Sequence, residues 1–170
     1  MINIRNNLFE TNSSSVHAIC IGKNNVHDIP NTLYFRFGEY GWEQRYLCEP
    51  EDLASYLYTA IYECNTNIDD IEEYKNYIYE VLGKYDCECR FEEPTYDKYG
   101  WLDNGYIDHG YELKDWLDGL RHSEKKLLRY LFSPYSYIVT TNDNTYDLEE
   151  YLDGYLTENS DKYDVCMKYN

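Results

Sequence analysis

"SVHAICIG", residues 15–22, is the stretch on which the fold turns. Val16, Ala18 and Cys20 alternate with His17, Ile19 and Ile21, the two-residue period of a strand whose faces meet different surroundings. The run ahead of it, "NIRNNLF" (3–9), is a second strand candidate. Between them lies the polar "ETNSSS" (10–15), whose Asn and Ser side chains bond readily to their own backbone in turns. The region reads as an N-terminal β-hairpin, and "TLYFRFGEY" (32–40) extends the β-rich start.

Helical periods take over next. "EPEDLASYLYTAIYECN" (49–65) has Pro50 at a helix-start position and acids in its first turn, where the helix dipole favours them. Leu53, Leu57, Ala60 or Ile61, and Cys64 form its apolar stripe. "NIDDIEEYKNYIYEVLGKY" (67–85) repeats the pattern with Ile68, Ile71, Tyr74, Ile78 and Leu82 inside and Gly83 as its stop. A strand is expected in "CECRFEEP" (87–94), and an irregular aromatic loop in "TYDKYGWLDNGYIDHG" (95–110). Two short helices follow, "YELKDWLDGL" (111–120) and "SEKKLLRYLF" (123–132), the second N-capped by Ser123. "YSYIVTTND" (135–143) is a strand, "YDLEEYLDGYL" (146–156) a helix and "YDVCMKY" (163–169) a closing strand. The whole predicts one acidic α+β domain over residues 1–170, with a mainly antiparallel sheet, the N-terminal hairpin and about five amphipathic helices.

The chain holds 15 bases and 32 acids, a net charge of −17, with 22 tyrosines. Such a charge speaks against direct binding to nucleic acid or an anionic membrane, both of which need basic surface. It suits a partner that is itself basic. Halophilic adaptation is the bland alternative, and the abundance of Asn and Tyr argues against it. No apolar run approaches the length of a membrane span, and no signal segment is evident, so a cytoplasmic location is expected. The six cysteines then read as reduced thiols. Only Cys87 and Cys89 are close in sequence, without a second pair at metal-finger spacing, so neither a metal nor a cofactor is implied.

Catalytic readings are thin. Ser15 and His17 share a face of the first strand, but strand neighbours point in parallel, and no G-x-S-x-G elbow is present. "TNSSS" lacks the glycines of a phosphate cradle, although Arg5 and Lys23 flank it and leave a nucleotide or ADP-ribose site conceivable. "DHG" (108–110), near Trp101 and Tyr106, is the most enzyme-like spot elsewhere and reads better as a turn.

The acidic helix faces say more. On 68–82, Asp70, Glu73, Tyr77 and Glu80 fall opposite the apolar stripe, at spacings that place carboxylates roughly 5–6 Å apart, like a phosphate row. With Asp69 and Glu72 they form the first candidate partner surface. The second is Asp147, Glu149, Glu150 and Asp153 on the last helix. Tyrosines among the acids add contact area at low entropic cost.

"IRNNLFETNSSSVHAICI" (4–21) resembles the N-terminal signature of a family of small uncharacterised phage and prophage proteins, an Arg-x-x-x-Phe-Glu-Thr-Asn-Ser-Ser-Ser-x-His pattern. "YIVTTNDNTY" (137–146) resembles a second stretch of the same family. The resemblance marks Arg5, Phe9, Glu10, Thr11, Asn12, Ser13, Ser14, Ser15 and His17, and then Asn142, Asp143 and Asn144, as a polar network or small-ligand site at one end of the sheet. It implies no established chemistry. A phage origin implies an inhibitor of host defence, an anti-CRISPR protein that mimics nucleic acid and blocks the DNA or guide-RNA channel of a CRISPR effector nuclease. The expected partner is therefore a basic nucleic-acid-binding host protein in the bacterial cytoplasm, and the chain itself is expected not to be an enzyme. Two alternatives stand beside it: a nucleotide- or ADP-ribose-handling enzyme using Arg5, Ser13, Ser15 and His17, and a structural phage component.

Overall fold

The computed structural model describes residues 15, 17–23, 26, 28–65, 67–141 and 160–169, with the backbone alone for 160 and 164–169. The first strand candidate, the turn at 10–14 and the helix expected at 146–156 lie outside the described residues.

The strand at 15–22 becomes β1 (His17–Gly22), and it sits inside a sheet. The other strands are β2 (Thr32–Phe35), β3 (Glu39–Tyr40), β4 (Arg45–Leu47), β5 (Glu88–Phe91), β6 (Tyr106–Ile107), β7 (Tyr137–Thr140) and β8 (Tyr163–Tyr169). Four of them form one antiparallel sheet in the order β4-β7-β1-β8. Ile19 lies opposite Ile138 on one side and Met167 on the other. The neighbours of β1 thus come from the far end of the chain. Over His17–Cys20 both its edges are filled, by β7 on one side and β8 on the other.

The alternation in β1 separates two cores. Ile19 and Ile21 face the main one, while Ala18 and Cys20 join Tyr137, Val139 and Tyr163 on the other side of the sheet. A central strand buried on both faces favours apolar residues, and β1 is buried throughout, with His17 at its start as the polar exception.

Four α-helices are described: α1 (Pro50–Cys64), α2 (Ile68–Gly83), α3 (Lys114–Arg121) and α4 (Glu124–Phe132). In α1, Leu53, Ala54, Tyr56, Leu57, Tyr58, Thr59, Ala60 and Ile61 are all buried, a wider stripe than the sequence indicated, because the other helices and β2 surround it. Helix α2 ends at Gly83, as expected, and carries one correction at its start, where Ile68 is exposed and the apolar face begins at Ile71. The left-handed conformation after it falls to Asp86 (φ 56°). Ser123 caps α4 as expected, its Oγ accepting from the Lys126 amide.

Two short parallel pairs, β2–β5 and β3–β6, complete the α+β architecture. The first carries the aromatic side of the main core, with Phe35 stacked on Phe91. The second lies beside the end of β1 and positions the cluster around His17.

Candidate functional site

The first candidate surface follows from α2. Asn67 accepts from the Asp69 amide and starts the helix, and burial of Ile71, Tyr74, Ile78, Val81 and Leu82 turns the remaining residues outward. Asp69, Asp70, Glu72, Glu73 and Glu80 are all exposed. They are not equally available. Glu72 binds Lys75 at 2.8 Å, and Glu73 pairs with Arg121, whose guanidinium also covers the Tyr74 ring. Tyr74 Oη donates to Asp118 Oδ1 at 2.7 Å, so Glu73 belongs to a clamp between α2 and α3. Asp69, Asp70 and Glu80 make no ion pair among the described residues.

Tyr77 departs from its expected role. Its ring packs against the main core and its hydroxyl is buried without a hydrogen-bond partner, so the side chain is not an outward contact. The exposed tyrosine of this helix is Tyr79, two positions further on. Asp147, Glu149, Glu150 and Asp153 of the second surface lie outside the described residues.

The segment read as an irregular loop is an ordered hairpin. Tyr96 and Leu102 bridge antiparallel, and the Asp97 amide donates to the Trp101 carbonyl at 2.8 Å. The Gly100 amide donates to the Asp97 carbonyl, and Gly100 takes φ 86°, a tight turn closed by a left-handed glycine bulge. Asp97 Oδ1 accepts from the amides of both Tyr99 and Trp101, at 2.8 and 2.9 Å. Asn104 secures the base by accepting from the Thr95 amide and donating to Glu92 and the Glu93 carbonyl. The rings of Tyr99 and Trp101 are 73% and 74% exposed at the tip. "DKYG" carries the signal for this turn, Asp at its start and Gly at its bulge.

Arg5, Phe9, Glu10, Thr11, Asn12, Ser13 and Ser14, marked above by the resemblance, like Asn142, Asp143 and Asn144, lie outside the described residues. Ser15 and His17 are described, and both are buried. His17 Nδ1 is 3.0 Å from Tyr56 Oη and the ring's other side faces the Asp108 backbone, while Ser15 Oγ is buried without a hydrogen-bond partner among the described residues. The ring lies beside Asp108 and His109 of the "DHG" turn. Gly41 sits between them at φ 104°, where an added Cβ would be 2.5 Å from Asp108 Cβ and 3.3 Å from His17 Nε2. Two spots ninety residues apart in sequence therefore meet. No local pattern could have shown this, since it follows from β3 pairing with β6.

Burial holds the His17 pKa down at about 4. The Asp108 carboxylate and backbone raise it by less than burial lowers it, and the neighbouring His109 lowers it further. The imidazole is thus neutral near pH 7. Asp108 is occupied locally, accepting from Tyr106 Oη at 3.0 Å.

No protein-family model, curated protein or solved structure matches the chain.

The remaining groups gather less. Among the described residues no three His, Cys, Asp or Glu side chains are placed to hold a metal. Cys87 and Cys89 are both buried, and burial pushes the Cys89 thiol up to about 12, so neither is poised as a thiolate. The groove lined by Val26, Tyr85, Glu124, Lys125, Leu128 and Arg129 is open, and its one acid, Glu124, is held by Lys84 at 2.6 Å and by Tyr85 Oη. No helix among the described residues is long and apolar enough to cross a membrane.

Proposed function

We propose that this chain is a binding protein that engages a cationic partner through the outer face of α2. The observation that carries the reading is the set of exposed carboxylates on that face, of which Asp69, Asp70 and Glu80 make no ion pair among the described residues, on a chain of net charge −17. Asp69 and Asp70 lie in the first turn of α2, where the helix dipole favours acids, but Glu80 lies in its last turn, where the dipole opposes a carboxylate, so helix stability does not explain Glu80. Facing a basic cleft, the same charges raise the rate of encounter and fix orientation. Together with the resemblance to phage proteins, this favours an inhibitor of host defence, an anti-CRISPR that occupies the nucleic-acid channel of an effector nuclease.

The test is inhibition of purified CRISPR effector nucleases in cleavage reactions at graded ionic strength. The reading predicts stoichiometric inhibition that competes with nucleic acid and weakens steeply with salt. The triple variant Asp69→Lys, Asp70→Lys, Glu80→Lys should lose it while remaining folded. Inhibition unchanged by salt and by the triple variant would remove the charge mechanism.

A second reading has its own observation, the buried Ser15 Oγ, which has no hydrogen-bond partner among the described residues, two positions ahead of the buried His17. Left unsatisfied, buried polar atoms are costly, and they are concentrated at functional sites. They favour a site of small-molecule chemistry in which Arg5, Ser13, Ser15 and His17 handle a nucleotide or ADP-ribose. It predicts turnover at substoichiometric amounts, lost in His17→Gln. Strictly one-to-one action rules it out.

A further inference from the structure

The hairpin at 95–102 exposes apolar surface that the fold does not require. A surface tryptophan is costly to leave in water, and a floppy one would lose much of its binding value to ordering entropy. Here the ordering is already done. Asp97 ties the amides on either side of Gly100, and Asn104 ties the base, so the two rings are displayed on a preorganised tip.

The surroundings identify what would cover them. Glu93 and Asp103 are exposed at the base of the hairpin, and over residues 92–103 Glu92, Glu93, Asp97 and Asp103 outnumber the lone cation Lys98. The strand that leads into the hairpin packs beside α2, where Lys75 Nζ lies 5.6 Å from the Phe91 ring centroid and 2.8 Å from Glu72. A ring face among carboxylates attracts a cation twice over, through its quadrupole and through the charges around it. The molecule already uses this contact. Lys98 Nζ lies 4.7 Å from the Tyr99 ring centroid, the Arg121 guanidinium 5.0 Å from Tyr74, and that of Arg36 5.0 Å from Tyr34. Single-stranded nucleic acid also stacks on aromatic rings, but its phosphates would be repelled by these acids.

We propose that this hairpin is the anchor of the interface, with Tyr99 and Trp101 stacking on arginine side chains of a basic partner protein. The proposal rests on the reading of α2 as an acidic docking face, and it names the residue type that face meets. Arginine is specified over lysine because its planar, weakly hydrated guanidinium lies flat on a ring, whereas an ammonium acts as a point charge.

The experiment is fluorescence anisotropy with dye-labelled oligo-arginine and oligo-lysine peptides of equal length, at low ionic strength. The wild-type chain should bind oligo-arginine about fivefold more tightly than oligo-lysine. In the variant Tyr99→Ala, Trp101→Ala the preference should vanish, with the unfolding midpoint unchanged. Asp97→Ala should weaken the preference by freeing the tip, and Asp97→Asn, which keeps an accepting oxygen, should retain it. Equal wild-type affinities, or a preference that survives in the double alanine variant, overturn the anchor and leave the acidic face standing. Failure of both peptides to bind overturns the anchor together with the acidic-face reading. Tighter binding to single-stranded oligothymidylate than to oligo-arginine also overturns it.

Discussion

The junction around His17 and the surface of α2 with the 95–102 hairpin are built from the same residue types, tyrosines and acids, used in opposite ways. Inside, hydroxyls are tied to fixed partners: Tyr130 Oη donates to the Leu53 carbonyl at 2.7 Å, Tyr58 Oη to the Glu92 carbonyl, and Tyr56 Oη meets His17. Burial keeps the His17 ring uncharged. Outside, Asp69, Asp70 and Glu80 are solvated and the Tyr99 and Trp101 rings largely exposed, with Lys98 over one face of Tyr99. A tyrosine-rich composition thus serves as core where the hydroxyl finds a partner, and as a contact surface where the ring is held out by the backbone. The inner region should govern stability with little bearing on binding to cations, and the outer region the reverse.

The sharpest break in that contrast comes from two glycines. Gly41→Ala puts a methyl against Asp108 in a left-handed backbone, and should destabilise by about 3 kcal/mol or more in urea unfolding. Gly83→Ala lies at the exposed end of α2 with open space around it, and should stabilise by up to about 1 kcal/mol. Comparable losses at both positions would deny that the inner junction is the tighter one.

Acid should reveal the same asymmetry. Above the unfolded-chain value near 6.5, His17 is neutral in both states and adds no pH dependence. Below it the unfolded chain takes up a proton that the folded chain refuses, so stability declines until pH reaches the folded value of about 4, then levels off. The full loss is about 3 kcal/mol. His17→Gln should therefore show a shallower decline between neutral pH and pH 4.5 in urea midpoints, and an unchanged slope would contradict the burial account.

Tyr130→Phe tests a single inner anchor. Losing the hydroxyl that donates to Leu53 should cost about 1–2 kcal/mol, read by thermal or urea unfolding. At the small end, Tyr99→Ala with Trp101→Ala should change stability by under about 0.5 kcal/mol while changing cation binding.

How far these regions were legible depended on the range of their causes. Local periodicity sufficed for α1, α2, α4 and the two-faced β1, and the Ser123 cap was visible in one residue. Three-residue β4, "RYL", carries no period long enough to read. The parallel pairs β2–β5 and β3–β6 join segments far apart in the chain, so neither they nor the meeting of His17 with Asp108 left a local trace. Ile68 misled because an apolar residue at the first helical position matches the stripe and yet points outward. The acids of α2 were readable as a row, but their partners were not, since Arg121 reaches Glu73 from α3. The turn of the hairpin is written in "DKYG", but the Gly, Asp and aromatic residues around it also match an irregular loop, so its strand pairing leaves no period to read.

The central claim is that the outward carboxylates of α2 are used against a cationic partner. Its most direct test is the affinity of the wild-type chain and of the Asp69→Lys, Asp70→Lys, Glu80→Lys variant for oligo-arginine across a salt series. A steep fall with salt in the wild type, and binding about tenfold weaker with a flatter slope in the variant, is the predicted result. Superimposable curves for the two proteins would contradict it.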